Sequence, residues 1–145
     1  MKIIVDANIV FSGILNTNGK IGDLLINSQK HFEFIAPDFL RIEIRKHYPR
    51  LSKISGLQTK QVIEAESLVC KDITFISEEQ IKASIWFNAQ KLTADVDMKD
   101  VHYVAFAKQF RCKIWSGDKV LIKGLAKKGF HNFIVTDELF KIRER

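Results

Sequence analysis

The chain has 145 residues with no break in composition, and 46% of them are apolar, eleven being Phe; this fits one domain over residues 1–145 with a real core, and excludes disorder or reliance on a structural metal. Cys70 and Cys112 stand far apart with no CxxC or Cys/His cluster, which excludes a zinc site or disulfide scaffold, while the absence of a leader-like or membrane-spanning run predicts a cytoplasmic protein without a membrane role. A net charge of +6 and an isoelectric point near 9.4 favour a polyanionic partner such as nucleic acid, because cationic contacts to phosphate release counterions.

Residues 2–5, Lys-Ile-Ile-Val, are short, continuous and β-branched and predict a buried strand, with Asp6-Ala7-Asn8 at its carboxyl end. A helix is expected over 9–15, a break at 16–19, and a second helical segment carrying Ile21, Leu24, Leu25 and Ser28 on one face. Residues 32–36 read as strand two. Pro37 is placed to open a helix over 38–47 that Pro49 ends; a loop follows at 51–57, then a helix from 58 or 59 to 71. Strand three is expected at 73–76, and Ser77 with Gln80 has the spacing of a capping box for a helix reaching Lys91. Residues 93–99 are acidic and loop-like, and an apolar helix then runs to Phe110. Strand four at 112–115, a helix through Val120, Leu121 and Leu125 stopped by Gly129, strand five at 133–135 and a last helix over 136–143 complete the chain. Such alternation calls for crossovers, and these produce a parallel α/β sheet covered on both faces whose ligands bind outside the strands' carboxyl ends.

Five carboxylates fall where that rule directs attention. Asp6 follows strand one and Asp118 follows strand four, so the two meet if those strands are neighbours. Asp97 and Asp100 share one side of a helical first turn. Glu43 lies inside the helix after strand two, with no Lys or Arg four residues on to pair with it. Carboxylates gathered in this way repel one another, by roughly 1–4 kcal/mol per pair at 4 Å depending on the effective dielectric. All-oxygen donors suit Mg²⁺ or Mn²⁺, and a hydrated ion held there can activate water and neutralise charge on a phosphodiester. Each acid also has a structural reading: Asp97 and Asp118 as N-caps, Asp100 as a favourable charge in a first turn, and Glu43 as a solvated helix residue.

Val5-Asp6-Ala7-Asn8, Pro37 with Glu43, Asp97-Met98-Lys99-Asp100 and Trp115-Ser116-Gly117-Asp118, in this order across nearly the whole chain, resemble the PIN-domain family, in particular single-domain ribonuclease toxins of VapC type and their PilT-N-terminus-like relatives. The resemblance implies a three-layer α/β/α sandwich around a mainly parallel sheet of about five strands. It further implies a metal-dependent endoribonuclease with Asp6, Glu43, Asp100 and Asp118 as its catalytic, metal-holding acids and Asp97 as an accessory acid. One or two Mg²⁺ or Mn²⁺ ions would activate water for in-line attack, leaving 5′-phosphate and 3′-hydroxyl ends. Asn8 and Ser116, the latter standing where many relatives have Thr, would orient carboxylates or water. Asp95 competes with Asp97 for a place beside the metal. A small antitoxin protein and a homodimer are the partners such toxins commonly have.

Arg41, Arg45 and Lys46 on the Glu43 helix, with Arg50 and Lys53 after it, are candidates to guide an RNA backbone, and Lys119, Lys123 and Lys127 form a second row beside Asp118. A solvated basic face is the alternative for both. The four His residues show no ligand or dyad spacing, and Trp86, Phe87 and Trp115 are expected to fill core or interface. The competing function is a non-catalytic PIN-like module that binds RNA or assembles a complex.

Overall fold

The computed structural model describes residues 1–145. Five parallel strands form one sheet: β1 (Lys2–Val5), β2 (Glu33–Pro37), β3 (Ile73–Ile76), β4 (Lys113–Trp115) and β5 (Phe133–Ile134), in the order β3-β2-β1-β4-β5. The chain lays down β1, β2 and β3 in one direction and then returns to place β4 on the other side of β1. The sheet therefore reverses its strand order between β1 and β4, and a crevice at the carboxyl ends of those two strands is the place where such sheets bind ligands.

The two-residue period of a strand divides the core into two layers. Ile3, Val5, Phe34, Ala36, Trp115 and Ile134 face one layer, whereas Ile4, Ile35 and Ile114 face the other. Helices α1 (Ala7–Leu15), α2 (Lys20–Asn27), α3 (Phe39–Lys46), α4 (Tyr48–Ser55), α5 (Thr59–Cys70) and α9 (Thr136–Arg143) bring apolar residues to the first layer; α6 (Ala83–Thr93), α7 (Val101–Phe110) and α8 (Lys119–Ala126) bring theirs to the second. The expected α/β/α sandwich with a five-stranded parallel sheet is thus what forms. No helix is long and apolar enough to cross a membrane.

Several boundaries differ from the sequence expectation for local reasons. The expected loop at 51–57 is mostly helix α4: Pro49 does not end the preceding helix but sits in the first turn of this one, where its missing N–H is no loss. Gly56, at φ 75°, supplies the left-handed residue that stops it. Pro37 ends β2 instead of opening α3, whose first amide, Phe39 N–H, donates across 2.8 Å to Glu78 Oε1 from a distant segment. Ser77 caps only a 3₁₀ turn, Glu78–Gln80, by accepting from Glu79 N–H, and the chain is extended at Ile81 and Lys82 before α6 begins. Val135 lies beyond β5 as the extended residue before α9, where its N–H donates to Glu138 Oε1.

Candidate acidic active site

Parallel pairing of Val5 with Trp115 puts the residues that follow them, Asp6 and Ser116, side by side at the sheet's reversal point. Asp6 is 4% exposed, and its Oδ1 accepts from Ile9 N–H at 3.0 Å, so it caps α1 while buried. Burial raises its pKa to about 6 and the charge of Asp118 adds to the rise, against the Ser116 hydroxyl and the backbone N–H groups of Ile9 and Asn8, which favour the anion. Ser116 is fully buried; its Oγ also accepts from Asp118 N–H at 3.1 Å, tying the two strand-end acids together. Asp118 is half-buried and caps α8 through Leu121 N–H at 3.0 Å.

Asp100 ends the 3₁₀ turn Met98–Asp100 just before α7, and its side chain makes no capping bond. Burial again leads in raising its pKa, to about 7, followed by the charges of Asp97, Asp6 and Asp118, with Lys99 opposing. Asp6, Asp100 and Asp118, residues from opposite ends of the chain, therefore share one electrostatic neighbourhood. Asp97 is exposed and caps the turn by accepting from Lys99 N–H at 2.9 Å, which is its structural reading, yet it also acts on Asp100. Asp95 turns away: its side chain is 85% exposed and meets Lys128 Nζ at 3.2 Å.

Glu43 approaches from α3. Although no Lys or Arg follows it by four residues, its carboxylate lies 3.9 Å from Lys46 Nζ and 3.7 Å from His47 Nε2. With Phe39 and Lys99 these residues line a shallow depression. Glu43 and the aspartates act on one common group, Tyr103, whose phenol is raised first by burial and then by the charges of Asp6, Asp100 and Glu43.

The other candidates are distributed unevenly. Arg41 and Arg45, about 200° around the helix from Glu43, line a different depression with Tyr48, Glu66 and Phe75, and the Arg41 guanidinium lies 3.8 Å over the Phe75 ring. The expectation that this pair guides phosphate to the acids is not what the placement favours; Lys46 and Lys99 are the cations beside Glu43. Lys119 is exposed in the first turn of α8, next to Asp118. Asn8 offers Asp6 its backbone N–H, while its side chain lines a groove with Phe11, Ser12, His47 and Arg50. Trp115 is fully buried and Trp86 half-buried, but Phe87 is 61% exposed and fills no core position. Beside the acids stand one His to which its spacing assigns no role and one Tyr that no sequence motif singles out. His102 stacks on Phe39 at 4.1 Å and lies 3.7 Å from Glu78, and Tyr103 follows Asp100 by three residues, the helical spacing that would have pointed to it.

No three His, Cys, Asp or Glu side chains converge closely enough to hold an ion in common. The donor chemistry nevertheless fits Mg²⁺ or Mn²⁺: carboxylates whose ionised forms are disfavoured by burial and then by neighbouring carboxylates, at a site that needs only one or two protein ligands if water and phosphate supply the rest.

A family model described as PIN domain matches residues 4–138. The fold is also that of PAE2754 from Pyrobaculum aerophilum, with TM-score 0.69, 9% identity, and 100% of this chain covered against 91% of that one. It is shared as well with VapBC2 from Rickettsia felis, solved bound to a DNA fragment from their promoter, with TM-score 0.63, 15% identity, and coverage of 93% and 97%. No characterised protein matches by sequence. A family match over all but the ends of the chain, on a sheet whose reversal point gathers aspartates, leads to one assignment: the chain belongs to the PIN-domain family.

Proposed function

We propose that this protein is a metal-dependent endoribonuclease and the toxin of a toxin–antitoxin pair. The observation that carries the reading is the meeting of Asp6 and Asp118 at the carboxyl ends of β1 and β4, joined through Ser116, with half-buried Asp100 near enough for both charges to act on it. Structural caps alone give no reason to crowd three acids there. One or two of the carboxylates Asp6, Asp100 and Asp118 would hold Mg²⁺ or Mn²⁺ directly and the others through its water, with Glu43 completing the acidic wall from α3. When bound, such an ion lowers the pKa of water and offsets charge building on phosphate.

The chain's own groups do the remaining work. Ser116 holds Asp6 and Asp118 in register through its hydroxyl. Asp97, exposed at the rim, adds negative charge next to Asp100 and so strengthens the demand for a cation. Lys46, Lys99 and Lys119 surround the acids with positive charge suited to an RNA backbone. A small antitoxin belongs to the same reading, supported by the likeness to VapBC2, as do a homodimer and a cytoplasmic location.

The test is cleavage of total RNA and structured transcripts by purified protein with Mn²⁺ or Mg²⁺, beside EDTA and Asp6→Asn. Cuts that require both the ion and Asp6 support the nuclease. RNA binding with no metal uptake at the acids would instead support the non-catalytic module.

A further inference from the structure

Helix α7 carries two buried polar side-chain atoms without a hydrogen-bond partner, His102 Nδ1, which lies 3.7 Å from Glu78, and the Tyr103 hydroxyl, which stands in an apolar surface. Val104, Ala105, Phe106 and Ala107 are fully buried, and Tyr103 beside them is only 4% exposed. Its ring belongs to the core layer that contains Ile4 and Ile114. Its hydroxyl has no hydrogen-bond partner and lies among the charges of Asp6, Asp100 and Glu43. The Ala7 backbone amide favours the oxygen without forming a bond of good geometry, which in any case leaves the hydroxyl proton unspent.

A buried hydroxyl without a partner is destabilising, and Phe would fill the same space without that penalty. Burial and three neighbouring carboxylates push this phenol well above its ordinary range, so it keeps its proton and has it to donate to an anion or a water placed before it. The groups around it come from the end of β1, the start of α7 and the middle of α3, making this hydroxyl a shared neighbour of the strand-end acid and the helix acid.

We propose that Tyr103 is a positioning residue of the acidic site, its buried, unpartnered hydroxyl donating a hydrogen bond to hydration water that a bound divalent cation brings among Asp6, Asp100 and Glu43. The inference rests on the metal reading above and adds to it a group that contributes no ligand atom. Donors that hold the surroundings of a bound ion commonly change its affinity by about 10- to 100-fold when removed.

The experiment compares wild type, Tyr103→Phe and Asp6→Asn for Mn²⁺ binding by electron paramagnetic resonance, with melting curves of the metal-free proteins. Expected are a metal-free melting temperature for Tyr103→Phe equal to or above wild type, Mn²⁺ affinity about tenfold or more weaker, and an altered bound-Mn²⁺ spectrum. Binding that is lost in Asp6→Asn but unchanged in Tyr103→Phe overturns the inference and leaves the metal site standing. A metal-free Tyr103→Phe protein that melts well below wild type shows that the hydroxyl already has a structural partner, and also overturns it. Wild-type protein that takes up no Mn²⁺ removes the metal reading and this inference together.

Discussion

Asp6 performs a structural task in an unfavourable setting: one oxygen caps α1 while the carboxylate is 4% exposed and near Asp118. Its folded pKa, about 6, stands above the ordinary value of 3.8. Below about pH 3 both folded and unfolded chains hold the proton and the site has no effect on stability. As pH rises, the unfolded chain ionises first, so stability falls until about pH 6 and stays lowered beyond it, by an upper estimate of about 3 kcal/mol. Asn keeps the cap without the charge. Metal-free Asp6→Asn should therefore resist urea better than wild type at pH 7 while losing RNA cleavage, and the stability difference should vanish by about pH 3; equal stability at pH 7 would show that the buried charge is not costly. A second consequence concerns the metal. Because Asp100, at about 7, and Asp6 are both partly protonated near pH 6, Mn²⁺ must displace protons there. Calorimetry in buffers of different ionisation enthalpy should detect proton release at pH 6 that disappears by pH 8, with affinity rising over that interval. Release independent of pH would place the ion elsewhere.

At the scale of elements, α3 is started by another part of the chain. Asp38 makes no side-chain capping bond, and the first amide of the helix is satisfied by Glu78, 39 residues away. Glu78 also lies 3.7 Å from His102, which stacks on Phe39, so the 3₁₀ turn after β3 connects α3 to α7. The helix that carries Glu43 is thereby docked against the helix that follows Asp100. Glu78→Ala should destabilise the protein by about 1–2 kcal/mol, as loss of a helix cap does, and should speed amide exchange at the start of α3 more than in α5. Uniform exchange along the chain would mean that the contact matters little. Local rules could not reveal this cap, since they search the residue just before a helix, and they missed α4 because a proline was read as a stop when it served as a start.

For the whole molecule, a charge of +6 says only that an anion is welcome; its distribution determines where. Lys46 and Lys99 share the depression that contains Glu43, whereas Arg41 rests on Phe75 in a separate one with Arg45 and Glu66. If RNA lies across the acids, Lys46→Gln with Lys99→Gln should weaken binding and flatten its dependence on salt by about 0.7 of a logarithmic unit for each phosphate no longer neutralised. Arg41→Gln with Arg45→Gln should change the slope little. The reverse ranking would move the RNA path to the α3–α5 side of the molecule.

The alternation of short β-branched runs with helical periodicity was sufficient by itself to call for a parallel sheet covered on both faces, and the position of Asp6 and Asp118 just after two strands was enough to direct attention to one edge of it. Both signals are local: a strand's two-sided burial and the polar residue that ends it are written in consecutive residues. Only the tertiary structure put β4 beside β1, separating Asp97 near Asp100 from Asp95 on Lys128, and turned Arg41 away from Glu43. It also left the Tyr103 hydroxyl unpartnered among three acids. Those outcomes depend on which distant surfaces pack together, a choice made by the burial of whole layers, Ile3 and Trp115 with α1 to α5 on one side and Ile4 and Ile114 with α6 to α8 on the other.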